Sequence, residues 1–279
     1  MGEAQAGEQR PEDDVLHRVE DRVSWITLNR PESANAITAD QRTRVIDLLE
    51  QASDSRDIGA VVLPATGTRF CPGADLRSSA PQPPRPEGAP ERAVGDMARR
   101  VRRGAQRLIA AILDCEKPVV AAVNGTAAGI GAHMAFAADL VVAAEGARFI
   151  EVFVRRGIAP DGGGAYLLPR LVGLQKAKEL VFFGDDLPAA EAERIGLVNR
   201  VVPAERLEAE AAALAGRLAV GPSKAIGMAK WLLNRSLESD RATAFEEEAW
   251  VQDLIVGTAD TAEGLAAFAE RRDPRFRGF

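Results

Sequence analysis

Three glycine-bearing segments constrain this chain most, because each of them follows a segment with the apolar pattern of a strand. They read FCPGADL at residues 70–76, NGTAAGIG at 124–131 and GIAPDGGG at 157–164. Glycines at such junctions let backbone N–H groups approach a ligand closely. One glycine after a strand usually serves only the turn, but three in this order predict a binding site built largely from backbone.

The predicted strands are continuously apolar rather than alternating, which indicates a parallel sheet covered on both faces. Examples are Gly59 to Leu63, Val119 to Val123 and Leu140 to Ala143. Helical patterns lie between them at 38–52, where Thr38 and Gln41 form a capping box, and at 97–112. Two shorter β-like runs flank Asp21-Arg22 and predict a hairpin. The repeated order of strand, helix and strand predicts an α/β fold.

We expect one core with two additions. Residues 1–14 are polar and are predicted to be a disordered tail, with order beginning at Val15. The core is predicted to span 15–200 and to contain an insertion at 78–92, where five prolines in fifteen residues exclude a helix. Residues 201–279 are predicted to be a helical C-terminal part that serves in trimerisation or as a lid.

Composition limits the classes of partner. Asp and Glu outnumber Lys and Arg by 41 to 35, so no global positive field would attract nucleic acid or anionic lipid. Two cysteines and two histidines are too few for a structural zinc site or a disulfide framework. No apolar run approaches the roughly 18 residues that cross a bilayer, and the start lacks the pattern of a signal peptide. We therefore expect a soluble, cytoplasmic protein without a metal.

Five segments together resemble one known family. They are the three glycine-bearing segments, LNRPESANAI at 28–37 and AERIGLVN at 192–199. In order and spacing they resemble the enoyl-CoA hydratase/isomerase family, also called the crotonase family, and the resemblance covers 15–279.

The resemblance implies a crotonase-like spiral of β-β-α units with a helical C-terminal part. It also implies a homotrimer or a homohexamer, the latter being a pair of trimers. The substrate would be an acyl-CoA thioester, so coenzyme A would enter as part of the substrate and no separate cofactor is expected.

The resemblance assigns an oxyanion hole to the backbone N–H groups of Ala74 and Ile130. Removing a proton next to a thioester places negative charge on the carbonyl oxygen, and two preorganised N–H groups about 3 Å away stabilise it by several kcal/mol. A helix predicted to begin near Gly131 would add the positive potential of its N-terminus.

The acid/base positions depart from the hydratase pattern. Hydratases of the family hold one water between two glutamates, because one group deprotonates the water while another delivers a proton. By the same resemblance, His133 and Phe153 stand at those two positions. The sequence therefore argues against ordinary hydration.

Asp161 is the carboxylate that remains available for proton transfer. It matches the position at which dienoyl-CoA isomerases, ring-epoxide phenylacetyl-CoA isomerases and 4-chlorobenzoyl-CoA dehalogenases of this family keep their working aspartate. The alternative is that Asp161 only caps a short helix starting at Gly162. We favour the catalytic role, because both glutamates are missing.

Four further residues are assigned around the acyl group. His133 is either a core histidine bonded to a backbone carbonyl or a polar group beside the acyl chain. Glu151 would share a face with Phe153 if that segment is extended, which makes Glu151 a reserve acid. Gly129, Glu151 and Phe153 are expected to line the acyl pocket, whereas Cys71 and Cys115 are expected to pack in the core.

For the CoA portion, the resemblance indicates the chain around two segments. The expected binding residues are Arg30, Ser33, Ala34 and Ala36 for the pantetheine and adenine, with Asp75 and Leu76 beside the thiol end. Asp75 is also expected to hold the shape of its loop.

Three functions follow as hypotheses. The first is an enzyme that moves a double bond of an acyl-CoA through an enolate, with Asp161 as the proton shuttle. The second is a hydrolase or dehalogenase in which Asp161 attacks the acyl portion or activates water. The third is an acyl-CoA-binding protein without turnover, and the family label of hydratase remains compatible with the resemblance.

Overall fold

The computed structural model describes residues 11–77, 86–90 and 93–279, which contain strands as far as residue 202 and only helices after it. The strands are β1 (Val15–Glu20), β2 (Val23–Leu28), β3 (Ala60–Leu63), β4 (Val119–Val123), β5 (Thr126–Ala128), β6 (Leu140–Ala144), β7 (Arg148–Ile150), β8 (Leu187–Pro188) and β9 (Arg200–Val202). The helices are α1 (Pro11–Asp14), α2 (Ala39–Asp54), α3 (Asp96–Val101), α4 (Arg107–Asp114), α5 (Ile130–Ala137), α6 (Gly164–Phe183), α7 (Ala189–Arg194), α8 (Leu207–Ala219), α9 (Ser223–Ser236), α10 (Arg241–Val256) and α11 (Ala259–Glu270).

The main sheet has the strand order β1-β2-β3-β4-β6-β9. Beyond the antiparallel pair β1 and β2, neighbouring strands are parallel. Val61 and Leu63 of β3 pack into one core cluster with α2 and α4, while Ala60 and Val62 pack into a second cluster with α8. Helices therefore cover both faces, which confirms the expectation drawn from the continuously apolar strands.

The N-terminal hairpin is confirmed, but the predicted tail is too long. Asp21 and Arg22 form the turn between β1 and β2, with φ of 48° and 65°. Residues 11–14 form α1 instead of a disordered end, so that part of the prediction is wrong. The carbonyl of Asp14 accepts hydrogen bonds from the Asn29 N–H (2.9 Å) and the Gln41 side chain (3.3 Å). Residues 1–10 lie outside the described residues.

A second sheet has the order β5-β7-β8. Its strands are two or three residues long, which is too short for an apolar period to reveal them. The helix α5, buried on all sides, follows β5 directly. This sheet positions the start of α5, where one of the predicted catalytic groups lies.

The helical pattern predicted at 97–112 is present, with one interruption. A π-turn at Arg102–Gln106 joins α3 to α4; such turns are rare and occur frequently at functional sites. The predicted insertion at 78–92 falls mainly outside the described residues, which include only 86–90 of it.

The C-terminal helices α8 to α11 follow the sheet, as predicted. Lys230 of α9 ties them to the core, since its ammonium lies 2.8 Å from Asp139 and donates to the carbonyl of Ile112 (3.0 Å). The helix α10 buries none of its residues and exposes Trp250. Exposed apolar faces of this kind are typical of subunit interfaces, and the trimer or hexamer stays a prediction. None of the helices in the described ranges is long and apolar enough to span a membrane.

Candidate active site

The segment 70–76 runs beside Ile37, and Ala74 pairs with Ile37 in a short parallel bridge. The Ile37 N–H donates to the carbonyl of Gly73 (2.9 Å), and the Asp75 N–H donates to the carbonyl of Ile37 (3.0 Å). Because both bonds use the neighbours of Ala74, the N–H of Ala74 points to the opposite side. It donates to no protein acceptor within the described residues.

Cys71 connects this segment to the start of α5. The Ala128 N–H donates to the Cys71 carbonyl (2.9 Å), and α5 begins two residues later at Ile130. Gly131 lies so close to Cys71 that a Cβ at this position would overlap the Cys71 carbonyl oxygen. The first turn of α5 is thereby held against the segment 70–76.

The N–H of Ile130 is the first of α5, one residue earlier than the predicted helix start. A leading N–H has no acceptor inside its own helix, and no other acceptor for it is found in the described part of the chain. Gly129 precedes it with φ 53° and donates its N–H to Ile150 (3.0 Å). The unpaired N–H groups of Ala74 and Ile130 therefore lie on two segments that are in direct contact.

His133 lies one turn further along α5 and is hydrogen-bonded to Glu151. Its Nε2 is 3.1 Å and 3.2 Å from the two carboxylate oxygens of Glu151. Both side chains are buried, with 0% and 4% of the residue exposed. The alternative of a core histidine is therefore confirmed as to burial but wrong as to the partner, which is a carboxylate and not a backbone carbonyl.

Phe153 and Glu151 both contact His133, although the segment that carries them is not extended. Phe153 has helical φ and ψ at the start of a 3-10 turn, so the expectation of a shared strand face is wrong. The Phe153 ring stacks on the imidazole with 5.4 Å between centroids and 16° between planes. It also lies against Gly129. The four residues assigned to the acyl region are thus brought together.

Asp161 lies in the turn that precedes α6, and its neighbours Gly162 and Gly164 lie against His133. The N-cap of α6 is Gly163, with no side-chain capping bond, and α6 begins at Gly164. The capping role considered for Asp161 is therefore not seen. Gly164 lies so close to the imidazole that a Cβ would overlap Nε2 of His133, and the Cβ position of Gly162 lies 3.5 Å from Nδ1.

The charges around Asp161 act in opposite directions on its carboxyl. Burial raises the pKa of Asp161 above its ordinary value. Positive charge on His133 and Arg42 opposes that rise, and the negative charge of Glu151 adds to it. A carboxyl whose pKa is raised is better matched to taking and returning protons near neutral pH than an ordinary one.

Arg30 gathers the residues assigned to CoA binding, but by contacts within the protein. Its guanidinium donates to the carbonyl of Ala36 (3.0 Å), to Asp75 (3.1 Å) and to the hydroxyl of Ser33 (3.3 Å). Only 17% of the side chain is exposed. Asp75 thus holds the shape of its loop as expected, while a role of Arg30 in binding CoA stays a prediction.

Ala34 and Leu76 occupy different surroundings in the same region. Ala34 ends the turn Pro31–Ser33 in the left-handed conformation, with φ 56°. Leu76 is 75% exposed at the end of the segment that carries Ala74. Their predicted contacts with CoA likewise stay predictions.

The sequence analysis did not single out Asn35, which organises this region. Asn35 is 1% exposed, accepts from the Arg30 N–H (2.8 Å) and donates to the carbonyls of Thr66 (2.9 Å) and Arg69 (2.8 Å). Its φ of 62° is one that Asn tolerates better than most residues. In the sequence, the sign of such a role was a polar residue, Asn35, between two alanines.

Arg42 was also missed. It lies on α2, and its guanidinium is within about 4 Å of the Cβ position of Gly104 in the π-turn. Ala105 of the same turn contacts Gly162, next to Asp161. Burial lowers the pKa of Arg42, and the charge of Asp161 opposes this effect. The positive charge of Arg42 therefore lies close enough to Asp161 to lower the pKa of its carboxyl.

Cys71 and Cys115 are buried and free, as expected for packing residues. Burial raises the pKa of the Cys71 thiol to about 11, which removes it as a nucleophile at neutral pH. The chemistry of the site therefore rests on its backbone N–H groups, its carboxyls and His133.

Known proteins are similar to this chain along nearly its whole length. Residues 18–278 match the family model described as enoyl-CoA hydratase/isomerase. The 1,2-epoxyphenylacetyl-CoA isomerase of Escherichia coli K12 is 35% identical over 95% of this chain and 98% of its own length. The crotonyl-CoA hydratase of Syntrophomonas wolfei is 34% identical, with the same coverage of both chains.

The fold is shared with solved structures. The crystal structure of an enoyl-CoA hydratase/isomerase from Cupriavidus metallidurans CH34 matches with a TM-score of 0.85 at 36% identity, covering 96% of this chain and 97% of that one. The α/β fold with a helical C-terminal part, predicted as crotonase-like, is thereby confirmed.

Proposed function

The chain belongs to the enoyl-CoA hydratase/isomerase family, and on that premise we propose that it moves a double bond of an acyl-CoA through an enolate, with Asp161 as acid and base. The two relatives named above carry an isomerase name and a hydratase name at nearly equal identity. Overall similarity therefore does not separate the two reactions. The preference for isomerisation rests on the residues of the site.

The contrast between the two carboxyls carries this proposal. Glu151 is buried and has both oxygens within hydrogen-bond distance of His133, so it is committed to the protein. Asp161 is only half-buried, and burial raises its pKa. One reachable carboxyl is enough to take a proton from one carbon and return it to another, whereas syn addition of water requires a second proton-transfer group.

The backbone donors would stabilise the negative charge that forms when the proton is removed. When Asp161 removes a proton next to the thioester, negative charge moves to the thioester oxygen. The N–H groups of Ala74 and Ile130, which have no protein acceptor in the described ranges, would donate to that oxygen. Such preorganised donors act without reorganisation at the moment of reaction. Proton return to the far carbon regenerates Asp161 and completes the shift.

The CoA portion would lie along residues 30–36 and the segment 70–76, which carries Ala74. Ser33, Ala34 and Ala36 would contact the pantetheine and adenine, with Arg30 and Asp75 holding the loop and Leu76 beside the thiol. The acyl portion would extend past Gly129 and Phe153. The same subunit would assemble as a trimer or a pair of trimers.

An acyl-CoA panel assayed for both turnover and binding tests the proposal. We expect double-bond isomerisation of at least one enoyl-CoA by the unmodified protein. In Asp161→Asn, kcat should fall by roughly 10² to 10⁴, while binding of free CoA is unchanged. The exposed carboxylate variant Asp57→Asn is the control and should keep full activity.

The other outcomes discriminate between functions. Full activity of Asp161→Asn on the best substrate would exclude Asp161 as the proton shuttle. Thioester hydrolysis or halide release in place of isomerisation would favour Asp161 as a nucleophile or a base for water. Binding of acyl-CoA without turnover of any panel member would indicate a binding protein.

A further inference from the structure

Arg42 is a partly buried cation whose guanidinium makes no hydrogen bond and no ion pair within the described ranges of the chain. Burial lowers the pKa of Arg42, but a guanidinium stays protonated in proteins and carries five N–H donors. Taking such a charge out of water without pairing it is unfavourable. The position of Arg42 therefore needs a physical reason.

The start of α2 fixes the place of Arg42. Thr38 and Gln41 complete a capping box at that end of the helix. Ile37, which precedes Thr38, pairs with Ala74. Arg42 is the fourth residue of α2, so the cation lies on a fixed turn that is joined directly to one of the two proposed backbone donors.

The π-turn between α3 and α4 links Arg42 to the turn that carries Asp161. The Cβ position of Gly104 lies 3.5 Å from Nη2 of Arg42 and 3.7 Å from Nε, so the missing side chain leaves room for the guanidinium. The next residue of the π-turn, Ala105, has its Cβ 3.2 Å from the Cβ position of Gly162. Arg42 and Asp161 thus adjoin the same turn of helix.

Arg42 and Asp161 lie near each other but form no ion pair among the described residues. The positive charge of Arg42 lowers the pKa of Asp161, and the negative charge of Asp161 raises that of Arg42. Both residues are only partly buried. The opposite charges are therefore close but separated, which leaves the donors of the guanidinium available to a bound molecule.

The chemistry of this position favours one kind of acyl group. An apolar chain would take water from the guanidinium and return no hydrogen bond. A carboxylate would instead accept two parallel N–H donors from Arg42. The positive charge of Arg42 would also offset the repulsion between that carboxylate and Asp161.

We propose that Arg42 is a specificity-determining residue that binds a carboxylate on the acyl portion, which makes the substrate an unsaturated dicarboxylic acyl-CoA. This rests on the proposed function, in which the reacting carbons lie between Asp161 and the N–H groups of Ala74 and Ile130. The double bond moves as proposed above, and no bond to the carboxylate forms or breaks. Arg42 thus acts on binding of the acyl portion, while Asp161 carries the proton.

Titration calorimetry with saturated thioesters tests this recognition without turnover. Succinyl-, glutaryl- and adipyl-CoA are compared with butyryl-, valeryl- and hexanoyl-CoA, which have the same chain lengths but end in a methyl group. We expect at least one carboxylate-ended thioester to bind the unmodified protein more tightly than its methyl-ended counterpart. Equal or weaker binding of every carboxylate-ended thioester would overturn the proposal.

Variants of Arg42 show whether the preference comes from this residue. In Arg42→Gln the preference should fall by roughly 10- to 100-fold, as expected for the loss of hydrogen bonds to a charged group. Arg42→Lys keeps the charge but not the paired donors, so it should retain part of the preference. The control is Arg44→Gln on the same helix, because Arg44 acts on His17, and it should bind like the unmodified protein. A preference that survives in Arg42→Gln would overturn the proposal.

Rates of isomerisation test the same preference on reacting substrates. The chain length with the largest preference is assayed as an enoyl-CoA, once with the terminal carboxylate and once with a methyl group. Each kcat/KM is measured on the pH plateau of the variant, because loss of the Arg42 charge also raises the pKa of Asp161. The carboxylate-ended substrate should have the higher kcat/KM, and its advantage should fall in Arg42→Gln. An unchanged advantage would limit Arg42 to its effect on the pKa of Asp161 and overturn the proposal.

The two tests separate this proposal from the proposed function. Full activity of Asp161→Asn removes the proton shuttle, but the calorimetry still decides on Arg42. If isomerisation requires Asp161 but treats both enoyl-CoAs alike, the proposed function stands and recognition by Arg42 is wrong. Should Arg42→Gln fail to fold, Arg42→Met, which keeps much of the length without the charge, takes its place.

Discussion

Gly131 lies directly against the carbonyl group of Cys71, and this contact joins the two segments that carry the unpaired N–H groups. Cys71 belongs to the segment of Ala74, while Gly131 is the second residue of α5, after Ile130. Any side chain at position 131 would push the start of α5 away from the segment 70–76. The relative position of the two donors therefore depends on this close backbone contact as well as on the hydrogen bond from the Ala128 N–H to the Cys71 carbonyl.

A substitution at this contact should damage both stability and activity. Gly131→Ala places a Cβ where the Cys71 carbonyl lies, and overpacking of this kind costs about 1–3 kcal/mol in the free energy of unfolding. Gly146→Ala is the matched control, because nothing lies within 4 Å of its Cβ position. Urea unfolding should show a lower midpoint for Gly131→Ala alone, and a midpoint equal to that of the unmodified protein would contradict the packing described.

The backbone role of Ile130 predicts a difference between two substitutions at that residue. Ile130→Pro deletes the N–H, at a helix position where proline is well tolerated, whereas Ile130→Ala keeps the N–H and trims the side chain. Loss of one oxyanion donor costs about 2.7–4 kcal/mol in the transition state, or roughly 10² to 10³ in kcat. Ile130→Ala should instead change mainly the preference for the acyl group. Equal kcat values for the two variants would exclude a backbone donor at this position.

Whether the sequence could predict an interaction depends on how far apart the interacting residues lie along the chain. The capping box of Thr38 and Gln41 is complete in the structure, because it involves residues three positions apart. The buried faces of α2 and the parallel strands are repeating patterns and are likewise confirmed. The short strands β7 and β8 carry no such pattern and were not predicted as strands.

Contacts between segments that are distant in the chain could not be predicted from the spacing of residues. The pair of His133 and Glu151 joins α5 to the end of β7, and the chain after Glu151 is not extended but leads through Phe153 into a 3-10 turn at Val154–Arg156. Arg42 approaches Asp161 through the packing of α2 on the π-turn, which nothing in the local sequence indicates. The resemblance could assign residue positions, but the charges that act on them emerged only in the folded chain.

Removing the charge of Arg42 should change the pH dependence of the reaction. Burial raises the pKa of Asp161, and the charge of Arg42 partly opposes this rise, so the pKa is expected to rise further in Arg42→Gln. Because proton abstraction needs the ionised carboxylate, the acid limb of kcat/KM should move to higher pH. Arg44→Gln on the same helix is the control, since Arg44 acts on His17 instead. A profile that shifts equally in both variants would argue against a specific effect of Arg42.

Hydration of crotonyl-CoA is expected to be weak or absent in the unmodified protein. The positions that correspond to the two hydratase glutamates hold His133 and Phe153, so a water molecule would lack its pair of carboxyls. Loss of the enoyl-thioester absorbance measures this directly. Turnover of roughly 10² per second or more, as in efficient enzymes, would contradict the prediction that a site with His133 and Phe153 at these positions does not hydrate efficiently.

Restoring hydration should require three substitutions instead of two. In His133→Glu combined with Phe153→Glu, the new carboxyl at 133 would face Glu151, whose oxygens lie 3.1 Å and 3.2 Å from the present imidazole. Two buried carboxylates at such a distance cannot both ionise, because like charges raise the pKa of one of them strongly. Adding Glu151→Gln removes that conflict while keeping the size of the side chain. The triple variant should therefore hydrate crotonyl-CoA faster than the double variant, which serves as its control, and equal rates would show that Glu151 does not govern the charge at position 133.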